Sequence, residues 1–224
     1  MKKIKHLYST ILIITVPILI VLLAFNITLR NSEVYSYYFN ESQSIDYTTL
    51  DVTTNELASE FSSFVNDLFS NEVDITENAG YERDPIFNDT EAEVLYELKT
   101  NLSFTLYIAL ALLVLDIALF VILHKRREDE LLFKSIEIDA IITVVMIIVT
   151  GILIGSSSFR KMLYASLINI PLPKDSVLMI LFSKGSFVGV INTSYIALAI
   201  ILLILILYII WYITKPERLF NNRR

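Results

Sequence analysis

Four apolar runs constrain this chain more than any other feature of it. They extend from Leu7 to Leu29, Leu102 to Leu123, Ile138 to Ile154 and Tyr195 to Ile213. Each has about the length a helix needs to cross a hydrocarbon layer roughly 30 Å thick. Backbone N–H and C=O groups meet no water there, so such runs fold as helices with their hydrogen bonds satisfied internally. With 54% hydrophobic residues and only five glycines and five prolines in 224 residues, an ordinary soluble domain is excluded. The expected fold class is an α-helical polytopic membrane protein with four transmembrane helices.

Flanking charge orients the spans. Lys2, Lys3 and Lys5 precede the first, Lys125, Arg126, Arg127 and Lys134 lie between the second and third, and Lys215, Arg218, Arg223 and Arg224 follow the fourth. Basic residues stay on the cytoplasmic side, which predicts both termini inside. The expected organisation is a cytoplasmic N-terminus and helix 1 over 1–29, an extracytoplasmic domain over 30–101 and helix 2 over 102–124. A cytoplasmic loop (125–137), helix 3 (138–154), an outer interfacial loop (155–194), helix 4 (195–213) and a cytoplasmic tail (214–224) complete it. The start MKKIKH resembles the charged end of a signal peptide. The apolar run behind it exceeds the usual 7 to 15 residues and no A-x-A-like site follows, so it reads as an uncleaved anchor.

The outer segment holds 16 of the 24 acidic residues against three basic ones, Arg30, Arg83 and Lys99. Without cysteine, it must hold by packing alone. Its pattern predicts a small α+β domain. Val34, Tyr35, Tyr37, Tyr38 and Phe39 are strand formers, and Ser44 to Val52 is a second candidate strand. Thr53 and Glu56 form a capping-box pattern ahead of an apolar face made by Leu57, Phe61, Phe64, Val65, Leu68 and Phe69. Residues 78–85 read as a loop, and Asn88 with Glu91 caps a helix that runs on to His124.

The second outer segment alternates basic and apolar residues around Pro171 and Pro173, as two interfacial helical pieces would. Arg160, Lys161 and Lys174, with Lys184, are the candidate lipid-headgroup ligands. The plainer reading makes them snorkelling anchors. Within the spans Asp116 is the conspicuous polar residue, either bonded to Thr15 or Thr143 as structural glue or serving a proton relay. Glu137 and Asp139 are expected near the inner surface, paired with the Lys125 to Arg127 cluster. Gly151 and Gly155 form a small-residue pair suited to close helix contact, and Tyr208, Trp211 and Tyr212 an interfacial belt.

No phosphate-binding loop, nucleophile elbow or zinc-protease motif is present. His6 and His124 both fall at cytoplasmic membrane edges. No cofactor, metal or nucleic-acid partner is expected. The richness in Ile, Asn and Lys is that of a low-GC bacterium, which makes the bacterial cytoplasmic membrane the expected location.

Within this layout, Tyr35, Tyr37, Tyr38 and Phe39 open the first outer segment, and Phe87 to Lys99 reads FNDTEAEVLYELK. The whole resembles the bacterial lipoprotein intramolecular transacylases, the Lit family. Phe87, Asn88, Glu91 and Lys99 match a family segment of the type F-N-x-x-E-x-x-H-M-x-D-V-K, with Glu97 in place of its aspartate. FRKMLY, from Phe159 to Tyr164, is similar to a second family segment, F-H-x-x-F-F. The resemblance implies a membrane fold that moves an acyl chain within the lipidated N-terminus of a lipoprotein. It also shows a departure, because the two family histidines are replaced by Val94 and Arg160.

Moving an acyl group requires a residue that takes a proton and returns it. Valine has no proton to exchange, and arginine does not release its own. Two readings follow. One is a non-catalytic relative that engages lipoprotein or lipid, or a membrane protein partner. The other is an active acyl transferase with a changed acid and base set, for which Glu91, Glu97 and Asp175 are the catalytic candidates. An accessory subunit or sensor of a membrane complex is a further alternative.

Overall fold

The computed structural model describes residues 2–42, 52–69, 76–79, 82–158, 176–182 and 185–214. Four of its helices are long and apolar enough to cross a membrane. They are α1 (Lys2–Arg30), α4 (Asp89–Lys125), α5 (Asp129–Gly155) and α7 (Gly185–Thr214). The chain is a multi-pass membrane protein. Helix α1 is central, packed on α5, α4 and α7, and α5 also packs on α7.

Lipid supplies no hydrophobic drive between helices, so close packing and interhelical hydrogen bonds hold the bundle. Ser9 meets Ser135 at 2.6 Å, Thr150 meets the Tyr195 hydroxyl at 2.6 Å, and Asn26 donates to Thr105 at 3.1 Å. Gly151 lies where an added Cβ would come 3.2 Å from Ile196 Cδ1, and its carbonyl accepts from Asn192 at 3.1 Å. Gly155 has nothing within 4 Å of such a Cβ. Of the expected small-residue pair, Gly151 sits at a close helix contact, with Ile196.

Between α4 and α5 the chain turns in three residues. Arg127 takes a left-handed φ of 57°, its N–H donates to His124 O at 2.9 Å, and the Glu128 N–H donates to Leu123 O at 3.1 Å. This is a Schellman-type helix end. The inner loop expected over 125–137 is therefore mostly helix, and α7 likewise starts ten residues before the expected Tyr195.

One end of the bundle carries a cap, formed by α2 (Ser32–Ser42), α3 (Thr54–Asn66) and the short α6 (Val177–Phe182), and a hairpin of β1 (Thr76–Ala79) and β2 (Glu82–Pro85) follows α3 in the chain. The first expected strand does not form. The strand formers of 34–39 are helical, because Asn31 accepts from the Glu33 N–H at 3.0 Å and starts a helix. Their burial then follows a helical period: Val34, Tyr35, Tyr38 and Phe39 are buried, whereas Tyr37 is exposed. The second candidate strand, apart from Val52, lies outside the described residues. The hairpin occupies the segment read as a loop and pairs Thr76 with Pro85 and Ala79 with Glu82.

Helix α3 has the expected capping box, with Thr53 and Glu56 bonded reciprocally. It ends at Asn66, before Leu68 and Phe69. Asp67 Oδ1 accepts the Phe69 N–H at 3.0 Å and turns the chain, leaving the Phe69 ring 90% exposed. Leu57, Phe61, Phe64 and Val65 of α3 meet Tyr35, Tyr38 and Phe39 of α2, Phe87, Val94, Leu95 and Leu102 around α4, and Leu178 and Leu181 of α6 in one core. Burial of each large side chain there stabilises by about 1.5–3 kcal/mol.

Candidate functional site

The acidic segment before the second span is the start of α4. Asn88 caps it, accepting from the Glu91 N–H at 3.0 Å while Glu91 Oε2 accepts the Asn88 N–H at 3.0 Å. Glu91 is only 1% exposed, and its other oxygen, Oε1, accepts the Leu178 N–H at 3.1 Å. Both carboxylate oxygens thus meet backbone donors, and the residue joins α4 to α6. The Tyr38 hydroxyl, buried in the cap, holds the other end of α6 by donating to Leu181 O at 2.5 Å.

From Glu91 the helical period carries one face of α4 inward through Val94, Leu95, Leu98, Lys99 and Leu102. Val94 is fully buried in the cap core. One turn further on, the face opens onto a cavity of about 330 Å³, whose walls include Phe25, Leu29, Phe61, Leu98 and Leu178, with Lys99 as its cation. The Lys99 ammonium lies 4.6 Å from the Phe64 ring centroid, a cation–π contact.

Arg30, at the end of α1, braces one wall of this cavity. Its guanidinium donates to Val65 O and, at 3.3 Å, to Ser103 Oγ. The Arg30 carbonyl in turn accepts from Ser62 at 2.7 Å and from Asn66 at 3.0 Å, so α3 holds this helix end. Tyr35 lines the cavity and donates to Leu29 O at 2.6 Å. Burial pushes its phenol pKa up, opposed by Arg30, so it stays a donor.

Of the three basic residues of the 30–101 segment, Lys99 lines the cavity and Arg30 holds Val65, a residue of its wall. Neither Arg30 nor Lys99 is a candidate from the sequence. The signal available is spacing: Lys99 lies eight residues after Glu91, on the same helix face.

Among the sequence candidates, Glu91 is committed to backbone donors. Glu97 lies two turns from the helix start, partly buried, with Oε2 without a hydrogen-bond partner. Asp175, Arg160, Lys161 and Lys174 lie outside the described residues. No cluster of three metal-ligating side chains occurs among the described residues.

Asp116 is far from this cavity. It accepts from the Thr15 hydroxyl, one of the two partners expected for it, whereas the Thr143 hydroxyl is buried without a partner. Asp139 departs from expectation. It is buried beside Asp116, and among the described residues Lys5 pairs with Glu128 at 2.8 Å while His124 Nδ1 lies 2.9 Å from Asp129 Oδ1. The reason is register: ten residues of helix separate Asp139 from the start of α5 at Asp129, a rise of about 15 Å.

Four spanning helices, with a helical cap that closes over an apolar, cation-bearing cavity, define the class as a capped four-helix membrane protein. Three solved structures of the membrane integral lipoprotein intramolecular transacylase Lit from Bacillus cereus share the fold. A histidine-to-alanine variant superposes with a TM-score of 0.69 at 13% identity over 97% of this chain and 96% of that one. A histidine-to-arginine variant gives 0.68 at 14% over 97% and 95%, and a further crystal form gives 0.69 at 12% over 95% and 98%. At this identity the likeness is one of fold. No protein-family model matches the sequence, and neither does any curated protein.

Proposed function

We propose that this chain is a Lit-like protein of the bacterial cytoplasmic membrane that holds a lipoprotein or lipid at the outer membrane–water interface without transferring its acyl chain. The cap then faces outward and both termini inward, as the basic residues Lys2, Lys3 and Lys5 and Arg126 and Arg127 favour. The single observation that carries this reading is the face of α4 from Glu91 to Lys99. It combines a committed carboxylate, a core valine and a cation at an apolar cavity.

An acyl chain fits the walls of Leu29, Phe61, Leu98 and Leu178, and Lys99 offers its charge to a phosphate or ester oxygen at the chain's polar end. Arg160, Lys161 and Lys174 add headgroup contacts in this reading. Among the described residues that line the cavity there is no histidine or carboxylate to take and return a proton, which acyl transfer requires. Glu97, with its buried unpartnered oxygen, supports the alternative of an active acyl transferase, in which it or Asp175 takes the place of the missing histidines.

The two readings separate on expression in a bacterial host lacking the transacylase. Mass spectrometry of a lipoprotein N-terminal peptide should show unchanged diacyl species, and conversion to the lyso-form would overturn the binding reading. Lipid or lipoprotein should co-purify with the wild type and be reduced several-fold in Lys99→Ala. Equal retention by both would remove the cavity from the proposal.

A further inference from the structure

A second cavity, of about 430 Å³, opens in the bundle toward the chain termini, between α4 and α7 with α1 and α5 behind it. Its volume falls within the range of about 300–1,000 Å³ usual for small-molecule sites. The walls are leucine, isoleucine, valine, alanine and phenylalanine, with two exceptions, Asp116 from α4 and Asp139 from α5. Asp116 is nine residues before the end of α4 and Asp139 ten after the start of α5, which places both about 14–15 Å from the turn that joins the helices.

The two residues are 6% and 4% exposed. The Thr15 hydroxyl satisfies Asp116 Oδ1, while Asp116 Oδ2 and Asp139 Oδ1 are buried without a hydrogen-bond partner. Among the described lining residues there is no lysine, arginine or histidine. Helices α1 and α7 bring only apolar side chains to the lining. A buried carboxylate without a donor is costly, and intramembrane acids face wet cavities or paired groups. Two open acceptors at one depth, at the side of an apolar slot, suit a ligand that is apolar along its length and rich in donors at one end.

We propose that this cavity binds a single-chain amphiphile with a primary ammonium head, its chain on the leucine and isoleucine walls and its ammonium donating to Asp116 Oδ2 and Asp139 Oδ1. A primary ammonium carries three donors and a positive charge, enough to donate to each open oxygen and to offset the charge of an ionised carboxylate. An alkanol has the chain without the charge, and a trimethylammonium has the charge without the donors. A fatty acid would add a third carboxylate. The site is independent of the cap cavity and of any acyl-transfer chemistry there.

The test is calorimetric titration of the full chain in phosphatidylcholine nanodiscs with dodecylamine, empty nanodiscs serving as the partitioning reference. Saturable binding should exceed the reference, with dodecanol and dodecyltrimethylammonium each at least tenfold weaker. Asp116→Asn combined with Asp139→Asn should weaken dodecylamine binding by at least tenfold and leave dodecanol unchanged. The proposal is overturned if dodecylamine shows no saturation above empty discs, or if it binds no better than dodecanol. The head-group comparison uses wild-type protein, so it decides the matter even if the double variant does not fold.

Discussion

The Glu91 carboxylate accepts the backbone N–H of Leu178 at 3.1 Å, across 87 residues of sequence. A residue that opens one helix as part of its cap thus also holds a second helix in place. Replacing it with alanine leaves the Leu178 N–H buried without an acceptor and removes half of the capping box. Loss of a buried hydrogen-bond partner costs about 1–3 kcal/mol. Glu91→Ala should lower the melting temperature in detergent and expose α6 to protease, while Glu91→Gln, which keeps one acceptor oxygen, should cost less. Equal melting of all three would mean that the clasp contributes nothing.

Tyr38→Phe removes the donor to Leu181 O and leaves the aromatic packing of Tyr38 on Phe39, at 5.5 Å between centroids, in place. The expected loss is about 1 kcal/mol. Because both contacts hold α6, the Tyr38 and Glu91 variants should be non-additive in a double-mutant cycle. Hydrogen exchange across Val177–Phe182 should quicken in each single variant.

The α3 cap makes this end of the molecule sensitive to acid. The Thr53 hydroxyl, and after it the Thr53 N–H, hold the exposed Glu56 carboxyl below its ordinary value. A depressed carboxylate pKa means that the folded state favours the ionised form. Its contribution is present in full above the ordinary value of about 4.3 and is lost as pH falls through the lowered one. Thermal melts from pH 6 downward should show a cap-specific loss in the wild type that is smaller in Glu56→Gln. Parallel curves would count against the cap as its source.

Gly151 and Gly155 should behave differently on enlargement. A leucine at 151 would drive α5 off α7 at Ile196, and overpacking of this kind costs about 1–3 kcal/mol. At 155 a Cβ meets no described atom within 4 Å, so the same change should cost less. Melting of Gly151→Leu and Gly155→Leu side by side is the measurement, and equal losses would contradict the packing described for Gly151.

Features that depend on local chemistry are legible in the sequence. Spans in lipid have one way to satisfy their backbone, so runs of the right length identify them. The two capping boxes, Thr53 with Glu56 and Asn88 with Glu91, depend on residues three apart and form as their sequences predict. Tyr35, Tyr38 and Phe39 have strand propensity yet fold as helix, because propensity is weaker than context. A helix started at Asn31 can bury all three on one face against Phe61 and Leu57, and a strand of alternating period cannot.

What the sequence alone determined, then, is the number of apolar spans, the two capped helix starts at Thr53 and Asn88 and the absence of a histidine where the transacylase resemblance would place one, at Val94. Tertiary structure decided which polar groups meet. Lys99 lines a cavity together with Val65, and Arg30, 69 residues before Lys99, holds Val65 from the end of α1. Asp116 and Asp139 share a second cavity because the three-residue turn at Arg127 sets α4 and α5 in antiparallel register. Helix periodicity says which face a residue occupies, but the face it meets depends on how helices far apart in the chain pack together.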